Sequence, residues 1–186
     1  TRDSALERWQ AGIGYIPADR IDVGSIGDFS LIENVMMNYY FDPEYSSGGT
    51  LDYKKVRQLT NEIIDEFNVM TPGADTTAKS LSGGNLQKVI LGRVLSRKPR
   101  LVIADLPSQG LDVGATEFVR NKLIEAKQEN ACVILISEDL DEILSMSDWV
   151  APVYEGKIMG ILPGEEAKRE DVGAMMAGLT IEGVGS

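Results

Sequence analysis

The stretch after Pro99 constrains the fold most. Leu101-Val102-Ile103-Ala104 is an unbroken apolar run closed by Asp105, the pattern of a strand buried on both faces of a parallel sheet. Parallel strands need long crossovers, usually helical. The chain supplies them: 116–128 has helical spacing, 133–136 is a second buried apolar run, and 140–145 reads as a short helix. Strands at 150–154 and 158–162 flank Glu155-Gly156-Lys157, a tight hairpin turn. A terminal helix at 165–177 precedes a loose tail over 180–186. Such alternation predicts an α/β fold.

Upstream the pattern is mostly helical. Residues 2–10 form a short helix closed by Gly12, and Ile13-Gly14-Tyr15-Ile16 is a buried strand ended by Pro17. The polar, glycine-punctuated stretch 18–28 is a loop. Ser30 caps a helix through Leu31, Ile32, Val35, Met36 and Tyr39, with Glu33 as its capping-box partner. Ser46-Ser47-Gly48-Gly49 is a flexible turn, and 52–67 is a helix with Val56, Leu59, Ile63, Ile64 and Phe67 on one side. A loop at 71–79 follows. The expected organisation is an α/β core from 1–28 and 98–164, a helical subdomain inserted at 29–97, and a C-terminal helix and tail at 165–186.

Within the insert, Leu81-Ser82-Gly83-Gly84-Asn85-Leu86-Gln87-Lys88 opens a helix that Pro99 stops. The first turn of a helix carries unpaired N–H donors and partial positive charge, and two glycines admit a phosphate close to the backbone. Ser82 adds a hydroxyl at the N-cap. An ordinary cap accounts for the turn equally well on these residues alone. Asp105, at the C-terminal end of its strand, sits where α/β sheets bind ligands and suits Mg²⁺ held through water. Asp112 follows in the turn Pro107-Ser108-Gln109-Gly110-Leu111-Asp112, and Ser137-Glu138-Asp139 ends the next strand.

Composition narrows the chemistry. The 186 residues contain no histidine and one cysteine, which excludes an imidazole base, a Cys-His nucleophile pair and a Cys/His zinc site. Cys132, beside the apolar run 133–136, reads as a buried thiol in a reducing compartment. The formal charge of -11 argues against a nucleic-acid partner, which would require a clustered basic surface. No apolar run approaches the roughly 18 residues of a membrane span.

In order and spacing these motifs resemble the nucleotide-binding domain of ATP-binding cassette (ABC) transporters. Leu81-Ser82-Gly83-Gly84 matches the signature, 101–105 the Walker B strand, Gly110-Leu111-Asp112 the D-loop, and 133–137 the switch strand. Gly14-Tyr15-Ile16-Pro17-Ala18-Asp19-Arg20, the Asn85-Leu86-Gln87-Lys88 continuation, and 137–142 resemble the C-terminal cassette of two-cassette importers for simple sugars and nucleosides. The acidic run at 139–142, with a Walker B strand lacking its glutamate, looks closer to the nucleoside importers. The resemblance implies ATP and Mg²⁺ as cofactors. It assigns Ser82, Gly83, Gly84, Asn85, Gln87 and Asp112 to nucleotide binding and Asp105 to the metal. It further implies a second cassette paired head to tail, permease subunits contacted near Met36, Met37 and 39–41, an indirectly coupled substrate-binding protein, and a cytoplasmic place on the inner face of the membrane.

The departures from the family pattern are as informative. No G-x-x-x-x-G-K-[ST] phosphate loop occurs, so the chain reads as a fragment with a partial core, inactive alone. Leu106 stands where the family has its water-activating glutamate, Ala18 at the Q-loop glutamine, and Glu138 at the switch histidine. A carboxylate at Glu138 would repel a γ-phosphate by roughly 4 kcal/mol at about 4 Å with an effective dielectric near 20. It also suits a plain position near a helix N-terminus. The chain's own site is therefore expected to lack catalytic residues. Two other readings remain open: a regulatory or dimerisation cassette, and the ATPase head of a chromosome-maintenance or repair protein.

Overall fold

The chain is described by a computed structural model, covering residues 3–47 and 50–180. The sequence expectations for Arg2, Gly48, Gly49 and 181–186 lie outside the described residues. It divides into two compact units, Thr1–Ile136 and Ser137–Ser186. Residues 137–164, expected with the α/β core, belong to the second unit.

In the first unit, α1 (Ala5–Gln10) leads into β1 (Ile13–Ile16), then α2 (Leu31–Tyr39), the two-residue strands β2 (Ser46–Ser47) and β3 (Thr50–Leu51), and α3 (Tyr53–Glu66). A 3₁₀ turn at Ala78–Ser80 precedes α4 (Gly83–Leu95), followed by β4 (Leu101–Asp105), α5 (Val113–Gln128) and β5 (Cys132–Ile136). Local chemistry sets most boundaries. Ser4 with Glu7 and Ser30 with Glu33 form complete capping boxes, while Asp52, Ser82 and Asp112 cap α3, α4 and α5. The helix expected at 116–128 begins at Val113, because the Asp112 carboxylate accepts from the Ala115 N–H and starts the turn there.

The parallel sheet has the order β1-β4-β5, with Tyr15 opposite Ile103 and Ile103 opposite Ile134. Gly14, Ile16, Val102 and Ala104 make its buried face. A methyl group at Gly14 would sit 2.6 Å from Val94 Cγ1, so α4 lies directly on β1. Gly92 likewise faces Ile63 and Phe67, bringing α4 against α3.

The opposite face is open, which corrects two expectations. Strand β5 alternates rather than being buried throughout: Ile134 and Ile136 are 47% and 48% exposed. Cys132 shares their face and is exposed, not buried. Period-2 geometry puts residues 132, 134 and 136 on one side, and all three are exposed.

The second unit contains α6 (Leu140–Met146), β6 (Trp149–Val150), β7 (Val153–Tyr154), β8 (Lys157–Ile158), β9 (Leu162–Pro163) and α7 (Arg169–Met176). The expected hairpin is present as two short antiparallel ladders, β6 with β9 and β7 with β8. Glu155 and Gly156 both have positive φ, 45° and 75°, as a type I′ turn requires. The helix expected from 165 starts at Arg169, because the N–H groups of Glu166 and Ala167 turn back to the Pro163 carbonyl. Val150, Leu162, Val172 and Met175 form this unit's core.

Candidate functional site

The start of α4 is a donor-rich corner at the surface. Ser82 and Gly83 are exposed, and the first amides of a helix have no helical acceptor. Ser82 Oγ lies 3.4 Å from the Asn85 N–H and 3.0 Å from Asn85 Nδ2, which fixes the cap. Asn85 Oδ1 in turn accepts from the Met70 N–H at 2.8 Å. The Asn85 side chain is thereby engaged with its own chain, steadying the corner from behind.

The turn that follows β4 packs beside this corner. A methyl at Gly84 would lie 3.2 Å from Ala115 Cβ and 3.8 Å from Asp112 Oδ2. Asp112 is exposed and its Oδ1 accepts from the Ala115 N–H at 2.9 Å. Gln87, expected at a nucleotide, is 2% exposed and points inward, with Nε2 donating to the Pro107 carbonyl at 2.7 Å. The i, i+4 geometry of α4 carries position 87 round to the buried side, so this residue ties α4 to the turn.

Asp105 ends β4 with one carboxylate oxygen accepting from the Tyr15 hydroxyl at 3.2 Å. Burial, then the Asp105 carboxylate, raise the Tyr15 phenol above its usual range. Among the described residues no three His, Cys, Asp or Glu side chains gather to hold a metal. A single carboxylate at a strand end fits Mg²⁺, which is commonly held by one or two protein carboxylates with the remaining positions filled by water and phosphate oxygens.

Leu106 follows with φ 44°, a left-handed conformation that costs a leucine roughly 1–2 kcal/mol. Its N–H donates to the Ile136 carbonyl, which holds the strand end in place. Ala18 is half-buried after Pro17, and Glu138 is exposed just ahead of Asp139, whose side chain caps α6.

Arg20 and Tyr15 had no role assigned from sequence. Arg20 lies in a tight loop closed by the Gly24 N–H on the Asp19 carbonyl, and its Nη2 donates to the Gln109 carbonyl. The signals for it were its place in the loop after β1 and its position at the end of the family-like run from Gly14 to Arg20. Arg93 is buried on α4, donating to the Gly24 and Asn34 carbonyls, and burial pushes its guanidinium down to about 10.

The backbone of the chain superposes on the dimeric post-hydrolysis state of the ATP-binding cassette MJ0796 bound to ADP and Pi, with a TM-score of 0.70 at 19% identity over 88% of this chain and 68% of that one. At that identity the likeness shows the fold: α/β with a parallel sheet and the helices of an ABC cassette. In sequence the chain is 42% identical to the guanosine import ATP-binding protein NupO of Bacillus subtilis over 171 residues, 92% of this chain and 34% of that protein. The chain belongs to the ATP-binding cassette family. The cassette is also 41% identical to the glucose import ATP-binding protein TsgD13 of Haloferax volcanii, over 90% of its own length and 31% of that protein. It thus spans about a third of the length of the curated relatives it matches. No family model matches the cassette. Among its described residues no helix is long and apolar enough to cross a membrane.

Proposed function

We propose that the chain is a C-terminal cassette of a two-cassette importer of nucleosides or simple sugars, and that it lends its Ser82-Gly83-Gly84 corner to ATP held by the partner cassette. The exposure of Ser82 and Gly83 at the start of α4 carries this reading. Both residues are open to solvent, so that a γ-phosphate on a neighbouring surface would meet the unpaired amides and the positive end of the helix. Asn85, Gln87 and Asp112 act one step back, holding the corner in shape.

The chain's own site binds nucleotide and turns it over poorly. Asp105 would hold Mg²⁺, which when bound neutralises phosphate charge. Leu106 has no group to accept a proton from water, Glu138 adds negative charge, and Ala18 offers no side-chain amide. The result is asymmetry between one working site and one regulatory site.

The fraction of its relatives that the chain spans, together with the open apolar face of Tyr15, Ile103, Ile134 and Ile136 beside Asp105, supports the fragment reading. A further segment bearing a phosphate loop would cover that face. Permease subunits, an indirectly coupled substrate-binding protein and a cytoplasmic seat on the inner membrane face complete the proposal.

ATP turnover by the two-cassette protein tests it. Ser82→Arg is expected to lower kcat by about a hundredfold or more, the scale seen when one such donor is lost, while Leu106→Glu raises turnover. Unchanged turnover in both variants overturns the proposal.

A further inference from the structure

The guanidinium of Arg20 touches two segments remote from it in sequence. Its Nη2 donates to the Gln109 carbonyl, 89 residues away. A methyl at Gly110 would lie 3.4 Å from Nη2, and one at Gly83 would lie 3.7 Å from Nη1. The guanidinium of Arg20 therefore lies alongside both the turn after β4 and the opening of α4. At Gly110, φ of 66° is what favours glycine.

The loop that presents Arg20 is fixed independently. Asp19 Oδ1 accepts from the N–H groups of Ile21 and Asp22, both at 2.9 Å. The Gly24 N–H closes onto the Asp19 carbonyl, and Ser25 Oγ donates to the Arg20 carbonyl at 2.8 Å. The buried Arg93 then anchors Gly24 to α4. Meanwhile Nη1 of Arg20 is buried with no hydrogen-bond partner among the described residues. A buried donor left unpaired is costly, so the fork is held there by shape and by the Gln109 bond.

We propose that Arg20 is a positioning residue that locks the Gln109–Gly110 turn to the Gly83 corner, so that both segments meet the partner-held nucleotide as one rigid surface. This inference rests on the function proposed above. It assigns no contact between Arg20 and the nucleotide: the arginine acts through the backbone of 109–110 and 83. Its planar guanidinium spreads two nitrogens, Nη2 bonded to the Gln109 carbonyl and Nη1 packed near Gly83, where a lysine has a single nitrogen to offer.

The test compares Arg20→Met, which keeps the stem and deletes the donors, with Arg20→Lys, which restores one. It reads ATP turnover and amide hydrogen exchange, both on the two-cassette protein. Arg20→Met is expected to lower kcat about ten- to a hundredfold, as small misplacements do, with KM for ATP within about twofold of wild type. Arg20→Lys recovers part of that loss. The bonded amides of Asn85 and Leu86 and those of Gln109 and Leu111 lose protection together while the middle of α5 keeps its own.

Lost protection at 109–111 alone overturns the lock, as does a fall in kcat that accompanies lost protection throughout α3, α4 and α5. Unchanged kcat for Arg20→Met, in a protein that Ser82→Arg inactivates, overturns this inference and leaves the proposed function standing. If Ser82→Arg is equally without effect, the proposed function has failed, and joint or separate loosening of the two segments decides the lock.

Discussion

Replacing Gln87 isolates the bond that joins α4 to the turn after β4. The side chain is 2% exposed, and its Nε2 donates to the Pro107 carbonyl at 2.7 Å in a buried setting. Gln87→Met has nearly the same length and no donor, so packing is largely kept while the carbonyl is stranded. Leaving such a group buried and unpaired costs about 1–3 kcal/mol. For a chain of this size that lowers the melting temperature by about 3–10 °C. Gln87→Glu separates the electrostatic part. Its carboxylate would face a carbonyl oxygen, acceptor against acceptor, unless it takes up a proton, so its folded-state pKa is raised. The acid form is favoured in the folded state; the deficit of Gln87→Glu is therefore smallest below the unfolded value of about 4.3 and grows as pH rises through it. Urea unfolding followed by circular dichroism at pH 4 and pH 7 reads both effects. Stability of Gln87→Met within about 0.5 kcal/mol of wild type, the range of a neutral surface change, would refute the reasoning, because the carbonyl would then have another donor. So would a Gln87→Glu variant no weaker than Gln87→Met at pH 7.

Two further predictions concern stability. Gly92 faces Ile63 and Phe67 without room for a side chain, so Gly92→Val should cost about 1–3 kcal/mol or more through overpacking. A variant that melts at the wild-type temperature would show that α3 and α4 can separate without penalty. The Glu33 carboxyl is held below its usual range by the Ser30 hydroxyl and N–H, Asp75 by Arg57, and Asp28 by Lys79. Since these folded values are depressed, their contribution is present above the unfolded values near pH 4 and is lost as pH falls through the folded ones. Glu33→Gln should therefore show a shallower loss of stability from pH 5 to pH 2.5, read by thermal melts, and identical slopes would refute that assignment.

Elements whose cause lies within four residues were legible in the sequence. Ser30 with Glu33 is a box at a fixed offset, Glu155-Gly156 is a turn that two residues specify, and the opening of α4 follows from Ser82 and two glycines. The motif order likewise sufficed for the family and for the exposed corner, because it depends on residue types in succession. Partners far apart in the chain were not legible. That Gln87 turns inward to Pro107, that Asn85 serves Met70, and that Arg20 reaches Gln109 each depend on how α4, β1 and the turn after β4 are stacked, which a local pattern does not encode. The apolar run at 133–136 shows the same limit from the other side. Hydrophobicity alone marked it as buried, whereas exposure at Ile134 and Ile136 is decided by what packs on each face of the sheet, and only the tertiary structure specifies that.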